Sequence, residues 1–448
     1  MNQSLTKKHI FFTGLMLFSL FFGAGNLIFP PILGQQAGDS FVPAIIGFIL
    51  TGVGLPLLAV VAVALSGRDM QHLAGRVSPR FGIFFAIIVY VSLGPAMGIP
   101  RVANVAYEMG FSSFLPSHHA SNPWILFVYT LIFFGSVFWM SLNPSKLVER
   151  IGSWLTPMLL LSIALLFIGG VLYPIGEGGP AINEYVESPG FKGFMNGYLT
   201  MDTIAALAFG IIVLNSIRGQ GVTEKRAVAK AAIQAGLIAG IGLSLVYAAL
   251  GYLGVTSVSL GYFKNGGQLL TDVVLHLFGR SGLILLAVIV TLACLTTCIG
   301  LVSACSQYFA TLMKGMAYNR IALVICLLGL LVANLGLNKI LSISEPILLV
   351  IYPVAIVLLL LSFVHKWFGG YSQVYAGALI GTVLISLFDG LKGAKVPIEF
   401  ALPVLRHIPL YAEGIGWFIP ALAGGAIGYV IGKLMAARDK QSFNPTKN

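Results

Sequence analysis

Apolar runs long enough to cross a bilayer follow one another along this chain, with only short polar segments between them. Hydrocarbon offers no water to backbone N–H and C=O groups, so a spanning segment folds as a helix or joins a closed barrel. A helix needs about 20 apolar residues and a barrel strand about half that. The runs here have helical length. About twelve spans are predicted, at roughly 10–33, 41–66, 81–107, 123–142, 148–173, 194–217, 228–254, 281–312, 320–336, 341–364, 373–391 and 414–436. Only 9% of the 448 residues are charged, against about 25% in soluble domains. The chain is therefore expected to be an all-α, polytopic membrane protein without a sizeable domain outside the bilayer.

The net charge of +11 invites a nucleic-acid reading, but its distribution argues against one. Most Lys and Arg, among them Lys7, Lys8, Arg76, Arg80, Lys225, Arg226 and Lys314, fall in segments that share one side of the membrane with the N-terminus. Basic loops stay in the cytoplasm, so both termini are expected there and the charge encodes orientation. The first apolar run has no small-residue cleavage site after it and is expected to be retained as a span rather than removed as a signal peptide. Cys294, Cys298, Cys305 and Cys326 lie in apolar runs with no His or carboxylate at ligand spacing. They read as small buried hydrophobes, not metal ligands or disulfides. His118 and His119 read as a solvated loop pair, 174–193 as a Gly- and Pro-rich external loop, Asn265 to Phe278 as a short external amphipathic helix, and the segment after Met435 as a disordered tail.

Several spans carry residues that a simple anchor would not. Phe21 to Pro31, FFGAGNLIFPP, places Gly23, Gly25, Asn26, Pro30 and Pro31 at membrane depth. Gly is a poor helix former, and Pro lacks a donor and clashes with the preceding turn. A broken helix is predicted here, and unwound backbone is tolerated only where it is enclosed by protein or lines a cavity. Span six holds Asp202 in an apolar setting, then Thr203 and the small residues Ala205, Ala206, Ala208 and Gly210, which makes it the second candidate for unwinding. An acid at that depth is a functional candidate by default. In span eight, Thr296 and Thr297 follow Ala293. Each hydroxyl can bond its own helix one turn back, but the adjacent pair also offers neutral hard oxygens to an alkali ion. Arg101 in span three, with Glu108 seven residues on, reads as a structural ion pair, the alternative being a gating or substrate role. Two broken helices five spans apart put the second group of five into the membrane from the opposite side, the signature of inverted repeats around a midplane site.

GAGN in span one and ACLTT in span eight resemble sodium-coupled transporters of the LeuT-type fold. FFGAGNLIFPP followed by GQQAG, with GIPRVANVAYEMG in span three, is similar to the bacterial branched-chain amino acid carriers, the LIVCS or BrnQ-like family. The resemblance covers the chain in length and span count. It implies two five-helix repeats, 1–173 and 194–364, joined by the loop 174–193, then two further helices at 365–436 and a cytoplasmic tail at 437–448. It implies symport of leucine, isoleucine and valine across a bacterial plasma membrane, coupled to sodium or to protons. It implies that the amides of Ala24, Gly25 and Asn26 receive the substrate carboxylate, and that carbonyls of Phe21 and of Thr203, Ile204 and Ala206 receive the ammonium. By the same resemblance Phe209 closes over the side chain, and Phe22, Ala293, Thr296 and Thr297 hold one sodium ion. A second ion would use an Asn on span seven, where this chain has none, and Asp202 has no counterpart in the LeuT-type motif. It stands as a coupling site or as a partner for nearby backbone.

A same-fold carrier for an aromatic amino acid or a nucleobase is the alternative. A channel would want a repeated filter or charged rings, and an enzyme clustered acids, His or Cys; the polar residues in these spans are scattered. No cofactor beyond the coupling ion, no nucleic acid and no obligate protein partner is expected.

Overall fold

The structure, a computed structural model, describes residues 5–66, 69–116, 122–143, 148–263 and 265–442. His118 and His119 lie outside the described residues. Every regular element described is a helix.

The first span is two helices. Helix α1 (Lys7–Phe21) starts at Thr6, whose hydroxyl accepts the His9 N–H at 3.3 Å, and stops at Phe22, where ψ turns to 86°. Helix α2 (Ala24–Ala37) begins after Gly23, whose backbone is extended. The predicted break is thus present, but narrower than the motif suggests. Pro30 and Pro31 lie inside α2 rather than ending it. An interior proline removes one donor, and a helix can survive that loss when surrounding protein holds its shape.

Helices α3 (Phe41–Ile49) and α4 (Leu55–Ser66) form the second span across a wide turn at Leu50–Gly54. After the short α5 (Met70–Ala74), α6 (Pro79–Val91) and α7 (Gly98–Val105) build the third. Its helix is interrupted at Gly94, beside the Pro95 that predicts a kink. Pro100 makes no second kink, because it falls in the first turn of α7, where the N–H would be unpaired anyway. Helices α8 (Pro123–Ser141) and α9 (Thr156–Leu172) follow.

The sixth span is again double: α10 (Pro189–Tyr198) and α11 (Asp202–Gly219). It therefore begins inside the segment read as the loop 174–193. The interruption at 199–201 precedes Asp202 instead of falling at the small residues up to Gly210. Alanines are strong helix formers, and Gly210 is used for packing on Val63, which a Cβ there would approach to 2.5 Å. Met201 makes the turn with φ +71°, uncommon for a bulky side chain and a sign that neighbours hold it.

Helix α12 (Lys225–Thr256) is the seventh span. Helix α13 (Gly266–Leu312) bends at Gly279, so its first part is the expected short amphipathic helix and the rest the eighth span. The chain continues with α14 (Tyr318–Ala333), α15 (Leu337–Val364), α16 (Ser372–Gly393), the short α17 (Leu402–Leu405) and α18 (Phe418–Ser442). Helix α18 runs to Ser442, past the point where a disordered tail is expected after Met435. Ten stretches among the described residues are long and apolar enough to cross a membrane; α14 is a shorter apolar helix. The first of the ten, Ala24–Ser66, contains α2 as well as the second span. Counting α1 with α2 as one span, and α14 as another, recovers the predicted twelve.

The chain divides into two compact units, one of Met1–Gly67 with Tyr90–Ser344, the other of Arg68–Val89 with Glu345–Asn448. In the second, Arg76 donates to the Tyr375 hydroxyl at 3.1 Å, and that hydroxyl donates to the Leu361 carbonyl at 3.2 Å. The functional residues discussed below all belong to the first unit.

Candidate functional site

Both helix breaks open onto one small cavity of about 30 Å³, whose wall includes Phe21, Gly25, Asn26, Arg101, Asp202 and Thr297. That volume admits a water molecule or a bare ion, not an amino acid, so the cavity has to widen to take a larger guest.

The α1–α2 break is shaped by its own asparagine. Asn26 is 1% exposed, and its Oδ1 accepts the Gly23 N–H at 3.3 Å. Its Nδ2 donates to Oδ2 of Asp202 at 2.6 Å and also to the Tyr247 hydroxyl. Tyr247 in turn donates to the same Asp202 oxygen at 3.1 Å. Three spans thus meet on a carboxylate that is 3% exposed. A buried acid is tolerated when it is well hydrogen-bonded, and here the donors come from α2 and α12. Asp202 does not simply bond neighbouring backbone, and span seven, which lacks an Asn, contributes a tyrosine. Nothing in the sequence pattern singled out Tyr247; a hydroxyl-bearing ring deep in an apolar span is the signal that could have.

Gly23 is required by space. Its φ of −120° and ψ of −155° suit any residue, but a Cβ there would lie 2.9 Å from Oγ1 and 3.0 Å from Cγ2 of Thr297. The span-one break therefore abuts the hydroxyl pair of span eight. Thr296 Oγ1 lies 3.1 Å from the Ser19 carbonyl oxygen, 3.0 Å from that of Ala293 and 2.9 Å from that of Leu292, and it accepts from the Ser19 hydroxyl at 3.0 Å. Thr297 Oγ1 lies 3.2 Å from the same Ser19 carbonyl. The cluster is made of neutral carbonyl and hydroxyl oxygens, the donor set that suits a hard cation. Ser19 is an addition to the residues expected from sequence; one turn before Gly23, its role depends on α13 lying alongside. Among the described residues no group of three His, Cys, Asp or Glu could hold a transition metal, and the four cysteines are free and buried.

Of the residues expected around a substrate, Phe21, Ala24, Gly25 and Asn26 line the cavity. On α11 the lining residues are Asp202 and Ala205, while Thr203, Ile204 and Ala206 lie within the helix and off the cavity wall. Positions three apart share a helix face, so a helix that starts at Asp202 shows the cavity 202 and 205. The carbonyls of its first turn belong to regular helix rather than to unwound backbone. Phe209 also lies off the wall, with its ring centroid 5.9 Å from that of Phe21, and backs that residue instead.

Arg101 and Glu108 do not pair. Arg101 is 6% exposed and donates through Nη1 to the Leu199 carbonyl at 3.1 Å and through Nη2 to that of Thr200 at 3.4 Å. These are the carbonyls freed at the end of α10, where a helix favours positive charge. Glu108 lines a separate, wide hollow of about 730 Å³ together with Asp272, Gln268 and Asn265. The turn at Ala106–Phe111 is wider than an α-helical one, and positions 101 and 108 no longer keep helical register.

The family model described as Branched-chain amino acid transport protein matches residues 6–435. The chain is 45% identical over 434 residues to the branched-chain amino acid permease BrnQ of Bacillus subtilis, covering 96% of this chain and 98% of that one. It is 44% identical to the branched-chain amino acid permease BraB of the same organism, over 96% and 97% of the two chains. Among solved structures, MhsT in complex with L-phenylalanine superposes with a TM-score of 0.54 at 17% identity, covering 97% of this chain and 99% of that one. The fold is of the LeuT type.

Proposed function

The chain belongs to the branched-chain amino acid transport family, and from that premise we propose that it is a secondary active symporter importing leucine, isoleucine and valine. Sodium or protons supply the gradient, and the plasma membrane of a bacterium is the setting, with both termini in the cytoplasm. The observation that carries this reading is the convergence of two helix breaks on one cavity, with the Ser19–Thr296–Thr297 oxygens directly behind it.

Substrate enters when the cavity widens on one side, and alternating access follows from movement of one repeat against the other. The repeats are 1–173 and 194–364. The N–H groups that open α2 at Ala24 and Gly25 carry the positive end of a helix and receive the carboxylate. The aliphatic side chain lies toward Phe21 and Ala205. A cation at Ser19, Ala293, Thr296 and Thr297, with the carbonyl of Phe22 at the break, ties α1 to α13. Its arrival and departure then bias which side is open, since a ligand shifts an equilibrium only by its differential affinity for the two states. Asp202 is the candidate proton carrier if the gradient is one of protons.

Uptake of labelled isoleucine into proteoliposomes tests the proposal. An inward sodium or proton gradient is expected to accelerate uptake, with leucine and valine competing and tryptophan and uracil not. No stimulation by either gradient would rule out symport, and competition by tryptophan or uracil alone would rule out the substrate class.

A further inference from the structure

A buried guanidinium needs a reason, because removing a charge from water is costly unless it is paired and hydrogen-bonded. Arg101 lies on the cavity wall, 94% withdrawn from solvent by its 6% exposure. Among the described residues no carboxylate lies within ion-pair distance of it; Asp202 attracts it through space across the cavity, and the close ion pair found is Lys192 with Glu184, elsewhere. Its hydrogen bonds are the two to the Leu199 and Thr200 carbonyls. A guanidinium has five N–H donors in a planar fork that matches a carboxylate, so most of that fork is left over.

The position of the fork is informative. A Cβ built on Gly25 would lie 2.9 Å from Nη2 of Arg101 and 3.1 Å from Cα of Thr200. The guanidinium is therefore wedged between the start of α2, where backbone N–H groups have no intrahelical partner, and the end of α10. The glycine keeps the fork against the amides. Asp202 lines the same cavity, so the hollow carries one buried base and one buried acid, the charge pattern of a zwitterion.

We propose that Arg101 is a substrate-binding residue: its guanidinium, together with the amides that open α2, receives the α-carboxylate of the transported amino acid. The Leu199 and Thr200 carbonyls hold the fork in place while the cavity is closed and small. When the cavity widens, the carboxylate takes the remaining donors in a charge-assisted pair. Compounds that share the side chain and ammonium but lack the carboxylate are then poor ligands. This assignment rests on the reading of the chain as an amino acid carrier and names the group that selects for the acid.

The test is competition binding to the full-length protein purified in detergent, with leucine and leucinamide as probes. In the unaltered protein leucinamide is expected to bind roughly 30-fold more weakly than leucine, the effect of losing one charged hydrogen-bonded pair. In Arg101→Gln, leucine should weaken by about the same factor while leucinamide stays within about threefold, so the preference collapses. Arg101→Lys keeps the charge without the fork and should fall between. Wild-type leucine affinity in Arg101→Gln would overturn the proposal. So would a loss of leucine and leucinamide by the same factor, which is the result expected if Arg101 only caps α10. If Arg101→Gln does not fold, the Lys variant decides by the same ratio. If the unaltered protein bound none of leucine, isoleucine or valine, the substrate reading would fail separately. The Arg101 assignment would then be read from whichever other α-amino acid binds against its amide, and would fail if no α-carboxylate compound binds.

Discussion

Nδ2 of Asn26 lies 2.6 Å from Oδ2 of Asp202, joining the break in the first span to the start of α11. The same asparagine caps Gly23 through its other side-chain atom. One residue thus fixes the shape of one break and its position against the other. Asn26→Ala should leave Asp202 short of a donor and Gly23 uncapped. The expected destabilisation is roughly 1–3 kcal/mol, measured as a lower thermal midpoint of the purified protein. A midpoint equal to that of the unaltered chain would mean that the two breaks are held by other groups.

Asp202 is the acid on which α2, α11 and α12 converge. Asp202→Asn keeps shape and hydrogen-bonding capacity but cannot gain and lose a proton. Isoleucine uptake measured from pH 5 to 8 should lose its pH dependence in this variant if the carboxylate carries the coupling proton. An unaltered profile assigns the proton elsewhere, or the coupling to sodium alone.

Thr297 places Oγ1 3.2 Å from the Ser19 carbonyl. Removing that oxygen takes one neutral donor from the proposed cation site. Thr297→Ala should raise the sodium concentration for half-maximal uptake by about tenfold, the equivalent of one modest polar interaction. Thr297→Ser, which keeps the oxygen, should stay close to the unaltered protein. An identical sodium dependence in all three proteins would place the site away from span eight.

Gly23 and Thr297 are packed without room between them. Gly23→Ala should destabilise by about 1–3 kcal/mol, as overpacking in a dense core does, and slow uptake. The backbone there suits any residue, so the defect is one of space. Adding Thr297→Ser removes the methyl that lies 3.0 Å from the new carbon and should recover part of the thermal midpoint. No recovery in the double variant would mean that the clash is with something other than Thr297.

Some of this arrangement was legible in the residues themselves. GAGN at membrane depth required a break and a cavity, because the hydrocarbon core leaves unwound backbone no other place. The adjacent hydroxyls of Thr296 and Thr297 marked the oxygen cluster. Other features were misread for identifiable reasons. Pro30-Pro31 was counted into the break, yet α2 continues through both, because local propensity yields to packing. The second break was expected among the small residues after Asp202 and falls before it, at a Met in a left-handed conformation that no propensity favours. Arg101 and Glu108 were paired by helical register, which the wide turn at Ala106–Phe111 does not keep.

The sequence by itself determined that this chain lives in a membrane, about how many times it crosses, and that the first and sixth spans are interrupted. Those follow from the free energy of burying backbone and charge in hydrocarbon, and that depends on residue type and run length alone. Only the tertiary structure decided which partners meet. Asn26, Asp202 and Tyr247 are separated by up to 221 positions and share a hydrogen-bond network. Ser19 joins Thr296 and Thr297 only because α1 and α13 lie side by side. Hydrogen bonds act over about 3 Å, so they are settled by packing, and one sequence read along its length carries no measure of that distance.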